Sequence, residues 1–300
     1  MSKLRVVFSQ IFYPMSLGRY MENALKRRDD IELFTVGPYT GAWIPWTGGM
    51  ELSLKYARPP DLPLPMNGNL PVVPITWVET QLPWKPDLWI NVASGWNLLG
   101  RPNHGINAFI ATDPHAVDYT QQRQLADVFF CMQTPYMKKG DEYLPYAYDP
   151  ILHTPEDQPR NYDAVLLGIH YEQRTGLVEA LRQQGLNVHY GQGPIFEEAR
   201  VIYNQAPFAL AWSSLQDLCA RVFEGAAMGR VVVTNRVPDL GKFFDEDDLI
   251  AFSSLGEAVE KVLCYHERPD ELMAMAERGR RAVEPHTWDA RVSQILKVAM

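Results

Sequence analysis

Cysteine is scarce in this chain of 300 residues: there are three, Cys131, Cys219 and Cys264, and they lie far apart. Such spacing supplies neither a disulfide framework nor a metal-binding pattern, and each thiol has apolar neighbours among which it packs as a small hydrophobe. No apolar run reaches bilayer-spanning length, and the first residues lack the blocks of a secretory signal, so a cytoplasmic protein is expected. Positive charge is not in excess either. With 28 Lys and Arg against 36 Asp and Glu the formal net charge is −8, which leaves no overall basic footprint for nucleic acid. Internal repeats, charge blocks and low-complexity tracts are missing, as is the GxGxxG fingerprint of a dinucleotide site.

What is present is an alternation of strands and helices in a chain long enough for two domains. Residues 4–9 (LRVVFS) read as a buried strand. A loop with Pro14 and Gly18 follows, then a helix over 20–28 with Ser16 as its N-cap, then a strand over 31–36. That is a Rossmann-like opening. Further strands are expected at 88–94, 108–112 and 126–131, then at 162–168, 187–190, 208–212 and 249–252. Between the second and third of these, residues 38–70 show little periodicity and hold Trp43, Trp46, Gly48-Gly49 and Pro59-Pro60. So long a connection in a compact domain is usually functional; its rings suit a sugar or base face, or a homo-oligomer contact. Pro145, Pro150 and Pro155 stiffen YLPYAYDPILHTP (143–155), where the domain junction is placed.

The stretch 215–236, LQDLCARVFEGAAMGRVVVTNR, organises the second half. Leu215, Leu218, Cys219, Val222, Phe223 and Ala226 have the spacing of one helix face, Gly229 stops the helix, and Val231 to Val233 form a buried strand. Arg221 and Glu224, three apart, are neighbours off the buried face. A helix start offers free N–H groups to a diphosphate, and a carboxylate nearby accepts hydrogen bonds from a ribose diol.

The runs RVFEGAAMGRVVVTNRVPDLGKFF and PDELMAMAERGRRAVEPHTWDARVSQIL resemble the C-terminal domain of GT-B glycosyltransferases, and most of all the CgeB-like (spore-maturation) branch related to retaining family four. The resemblance implies an α/β fold with two Rossmann-like domains facing an interdomain cleft and a C-terminal helix returning to the first. The domains are then 1–152 with 286–300, on the acceptor side, and 153–285, binding the nucleotide sugar. It also implies roles for residues. Gly18 lies near the donor phosphates or the acceptor. Asp113 and His115, in ATDPH where the family often has ATFH, contact the transferring sugar or deprotonate an acceptor hydroxyl. Gly168, His170 and Arg174 hold the donor diphosphate, and Tyr190 and Gly191 form the base-binding turn. Ser213 and Ser214 begin the loop into the Glu224 helix, Arg221 supports Glu224 or reaches phosphate, and Glu224 anchors the ribose. The family's Glu-x7-Glu is incomplete, because the first Glu falls at Gln216, beside Asp217. No metal and no resident cofactor is implied: the co-substrate is a nucleotide-diphosphate sugar, and the acceptor is a glycan, a protein, a small molecule or a modified nucleic acid. A nucleotide-sugar epimerase and a non-catalytic GT-B scaffold are the competing readings.

Overall fold

The computed structural model describes residues 3–44, 50–66, 69–93, 96, 98–213 and 215–300; Trp46, Gly48, Gly49 and Ser214 lie outside the described residues. The chain divides into two compact units, Met1–Pro145 with Asp289–Met300, and Tyr146–Trp288.

In chain order the first unit contains β1 (Leu4–Ser9), α1 (Gly18–Lys26), β2 (Ile31–Pro38), a short antiparallel pair β3 (Trp43–Ile44) and β4 (Met50–Glu51), and β5 (Leu62–Leu64). Next come α2 (Ile75–Glu79), β6 (Leu88–Ala93), β7 (Ile106–Ala111), α3 (Thr120–Leu125), β8 (Val128–Cys131) and β9 (Glu142–Tyr143). Seven strands form one sheet in the order β5-β2-β1-β6-β7-β8-β9, every pairing parallel. All of β6 is buried, as in a parallel sheet covered on both faces. The order reverses between β1 and β6, the topological switch point where open α/β sheets bind ligands.

The second unit runs β10 (Ala164–Leu167), α4 (Glu172–Gln183), β11 (Val188–Gly191), α5 (Glu197–Asn204), β12 (Phe208–Ala211), α6 (Ala220–Ala227), β13 (Val231–Asn235), β14 (Ile250–Phe252), α7 (Leu255–His266) and α8 (Pro269–Val283). Its parallel sheet has the order β11-β10-β12-β13-β14 and reverses between β10 and β12. Leu166, Leu177, Leu181, Phe208, Val233 and Phe252 are among its core residues. The last helix, α9 (Trp288–Ala299), belongs to the first unit from Asp289 onward. There Asp289 is bidentate to Arg27 at 2.8 and 2.7 Å, Arg291 Nε donates to Pro145 O at 3.0 Å, and Gln294 Nε2 donates to Tyr143 O at 2.7 Å.

Several local expectations change. The helix after β12 starts at Ala220, not Leu215, which is exposed with φ of 52°. Helix α1 starts at Gly18, and Ser16 does not cap it, because its hydroxyl donates to Gln10 Oε1 at 3.0 Å. Within 38–70, β5 is a true edge strand; Pro63 removes a donor, which an edge position tolerates.

Glycine 225 sets how closely α6 approaches the sheet. A Cβ there would lie 2.9 Å from Ala209 Cβ on β12 and 3.1 Å from Val232 Cγ2 on β13. Gly225→Val should therefore cost about 2–3 kcal/mol through overpacking, seen as a lower urea midpoint in far-ultraviolet circular dichroism.

Candidate functional site

The site in the second unit is built at the carboxyl ends of β10 and β12, either side of its switch point. Strand β10 runs into Gly168, whose φ of 145° favours glycine and whose missing side chain makes room. A Cβ at Gly168 would lie 2.4 Å from Arg221 Nη2. The Arg221 guanidinium, from the first turn of α6, instead lies against bare backbone, and its Nε donates to Leu167 O at 2.5 Å. Gly168 N also donates to Gly191 O at 2.9 Å, tying the β10 loop to the end of β11.

Arg174, in the first turn of α4, turns inward and is 5% exposed. Its Nη1 donates to Ile169 O at 2.9 Å, and Nε and Nη2 to Trp212 O at 3.3 and 3.1 Å, so one guanidinium bridges the two loops of the switch point. The Tyr171 ring lies 4.5 Å from its Cζ. Burial pushes the Arg174 pKa down, and the like charge of Arg221 adds to the effect. Among the described residues neither arginine forms an ion pair with a carboxylate. Both are held by backbone carbonyls; the charge of Arg221 is supported through space by Cys219, Tyr203 and Glu224, whereas burial and Arg221 leave that of Arg174 disfavoured, a cost that a bound anion would relieve.

Ser213 is fixed by a residue that sequence reasoning missed. Asn235, the last of β13, accepts from Ser213 N at 2.7 Å and donates to Ser213 O at 3.1 Å. The Ser213 hydroxyl accepts from Cys219 N at 3.2 Å, just before α6 begins. Tyr203 was also missed. Its hydroxyl accepts from Leu167 N at 3.3 Å, and burial pushes its pKa up to about 12, so it stays neutral under the two arginines. The one signal for Asn235 was a polar residue ending the β-branched run VVVTN. On β11, Tyr190 meets the exposed His170 with ring centroids 4.0 Å apart, and its hydroxyl lies 3.4 Å from Thr175 Oγ1. Glu224, on the next turn of α6 after Arg221, has Oε1 3.8 Å from His153 Nε2. The structure thus gathers Gly168, Arg174, Ser213 and Arg221 at the switch point, with His170, Tyr190 and Gly191 on its β11 side.

In the first unit Asp113 and His115 follow β7. Asp113 has a positive φ of 48°, and its carbonyl accepts from Ala116 N and Val117 N. It does not cap α3, whose N-cap is Tyr119; Asp118, just before it, accepts from Thr120 N at 3.0 Å. Although Asp113 is exposed to solvent, the protein crowded round its carboxyl group raises its pKa, and the neighbouring His115 pulls the other way. The pKa of Tyr13, in the loop after β1, is raised by burial and then by the charge of Asp113, which makes these two groups neighbours. His115 Nδ1 is buried without a partner, and its ring lies 6.1 Å from that of Tyr136. Gly18 gives the Gln10 amide its place: a Cβ there would lie 2.0 Å from Gln10 Oε1. Arg19 donates to Pro14 O and Tyr56 O.

The turn Asp245-Glu246-Asp247 has Asp-x-Asp spacing, but it lies at the amino end of β14. Glu246 pairs with Arg236 at 3.1 Å, and Asp248 closes the turn on Asp245 N.

A carbonyl-held arginine pair should bind a small polyanion. Inorganic pyrophosphate at about ten times its Kd should raise the melting temperature by a few degrees, from roughly 1.4 kcal/mol of linkage. Arg221→Ala should abolish the rise in a thermal-shift titration.

With this geometry in place, comparison with known proteins is informative. Residues 152–297 match the family described as Glycosyl transferase-like. No curated protein matches the chain in sequence. Among solved structures, sucrose-phosphate synthase from Thermosynechococcus elongatus is similar with a TM-score of 0.66 at 13% identity, covering 99% of this chain and 98% of that one. Anabaena HepE in complex with UDP-glucose is similar with a TM-score of 0.67 at 10% identity, covering 99% of both chains. A glycosyltransferase from Rickettsia africae has a TM-score of 0.66 at 10% identity, covering 100% of this chain and 98% of its own. At such identities the likeness is one of fold. The chain has the GT-B fold, and its residues 152–297 are similar to the Glycosyl transferase-like family.

Proposed function

We propose that the protein transfers a sugar from a nucleotide-diphosphate donor to an acceptor hydroxyl, as a CgeB-like relative of glycosyltransferase family four. The observation that carries this reading is the Arg174–Arg221 pair at the switch point of the second unit, held by backbone carbonyls with no direct carboxylate partner among the described residues. A donor diphosphate supplies the opposite charge. As the bond to the sugar breaks, negative charge grows on the leaving diphosphate, and fixed guanidinium groups stabilise it without reorganising. Both arginines are held in place before the donor arrives, Arg174 by Ile169 O and Trp212 O and Arg221 by Leu167 O. Gly168 admits the diphosphate close to the backbone.

The His170–Tyr190 pair and Gly191 take the base, where a planar ring finds a stacking partner. Glu224 accepts from the ribose hydroxyls, and Ser213 with the loop after it lines the sugar side. Arg221 and Arg174 carry the charge that a divalent ion supplies in other transferases, so transfer is metal-independent in this reading, with no resident cofactor. In the first unit, Asp113 and His115 serve the acceptor: a carboxyl group with a raised pKa, or an imidazole with an unpaired Nδ1, receives the hydroxyl proton. The UDP-glucose complex of Anabaena HepE supports this reading through shared fold.

The experiment is incubation with a panel of nucleotide sugars and measurement of released nucleotide. Release is expected for one donor; an altered sugar without release would instead indicate an epimerase. Glu224→Ala should weaken nucleotide binding about 10- to 100-fold, the range for losing a hydrogen bond to a charged group, as read by calorimetry. Asp113→Asn should abolish transfer yet leave nucleotide affinity unchanged. Because the Asp113 pKa is raised, it stays protonated to a higher pH than an ordinary carboxylate. The acid limb of the wild-type rate profile should therefore lie above about pH 4, and a limb at or below that value would remove Asp113 as the base.

A further inference from the structure

The proline-rich segment 143–155 contains His153, which the proposed donor site does not use. Its fold is specific. His153 N donates to Asp149 O at 2.9 Å, and Asp149 N donates to His153 Nδ1 at 3.0 Å. The Asp149 carboxylate, fully buried, accepts from Ile151 N at 2.9 Å and Leu152 N at 3.3 Å. The turn therefore holds the imidazole rigidly and decides its tautomer. A ring nitrogen that accepts a backbone N–H carries no proton, so in the neutral ring the proton sits on Nε2. That nitrogen lies 3.8 Å from Glu224 Oε1.

The groups around the ring agree with neutrality. Burial drives the His153 pKa down, against the opposing pull of Glu224 and Asp149, and Arg200 lowers it further. Arg200 is itself paired with Glu156 at 2.6 Å. At 3.8 Å the Nε2–H acts on the Glu224 carboxylate as an oriented dipole. It restrains the carboxylate without occupying a lone pair, which leaves the oxygens for a diol.

We infer that His153 is a positioning residue, whose Nε2–H, set by the Asp149 turn, orients the Glu224 carboxylate toward the two ribose hydroxyls of the nucleotide. This rests on the donor-site reading above. It gives the site its preference for a ribonucleotide over the 2′-deoxy form, because only a fixed carboxylate gains from both hydroxyls.

The test measures, by calorimetry, the Kd of UDP, ADP and GDP and of their 2′-deoxy forms on the full chain. The informative quantity is the ratio of deoxy to ribo Kd for whichever base binds. His153→Asn keeps an acceptor for Asp149 N but has no atom at the Nε2 position, and the ratio should fall about fivefold, the worth of one modest hydrogen bond. His153→Gln carries an N–H to that position and should keep the ratio within about twofold. In a Glu224→Ala background, His153→Asn should have no further effect, which a merely structural histidine would not produce. An unchanged ratio in His153→Asn, or a ratio lost in His153→Gln, overturns the inference. Should His153→Asn fail to melt cooperatively, the His153→Gln ratio decides alone. Wild-type protein that binds none of the nucleotides removes the donor-site reading instead, whereas binding weakened by Glu224→Ala with the ratio unmoved in His153→Asn removes the inference alone.

Discussion

Two guanidinium groups held at the ends of two neighbouring strands, without a direct carboxylate partner among the described residues, are the constraint on which the second unit turns. A charge removed from water is costly unless it is paired, and carbonyl oxygens offset only part of that cost. Arg174 and Arg221 are fixed by carbonyls of Leu167, Ile169 and Trp212, all at the switch point. Arg221 adds to the cost of Arg174, whose pKa it pulls down beyond the effect of burial, while Cys219, Tyr203 and Glu224 hold the Arg221 pKa up. The arrangement is pre-organised for an anion, and the helix and strand ends around it are shaped to keep it so.

The supporting parts are small and local. Gly168 gives up a side chain so that Arg221 can lie on backbone. Asn235 grips Ser213 from the neighbouring strand with a donor and an acceptor, a geometry only a side-chain amide provides. Tyr203 meets the Leu167 amide without adding charge. These contacts reach across β10, β12 and β13, so the site is rigid because the sheet is rigid. In the first unit Asp113 is held at positive φ, where the protein crowded round its carboxyl raises its pKa against the opposing pull of His115.

The fold was largely legible in the chain because buried parallel strands and amphipathic helices leave periodic traces. LRVVFS, AVLL and VVVTN need no neighbours to be recognised as strands, and α7 and α8 follow from their apolar spacing. Local sequence misplaced the ends. The 3.6-residue pattern from Leu215 onward suggested a longer helix, but Leu218 and Cys219 are buried as loop residues before α6 starts. Ser16 has the right chemistry for a cap, yet the Gln10 amide competes for it.

The sequence by itself determined the α/β class, the alternation of elements, and which residues have chemistry to offer: Arg174, Arg221, Glu224, Asp113, His115. Only the tertiary structure decided what each of them meets, because that depends on strand order. Residues 167, 174, 212 and 221 meet through parallel pairing of β10 with β12, which no local pattern encodes. The approach of His153 to Glu224 joins positions 71 residues apart. A helical period reports which face is buried, not what lies opposite. The partner of a charged side chain is fixed by the packing of distant segments, and that is settled when the chain folds.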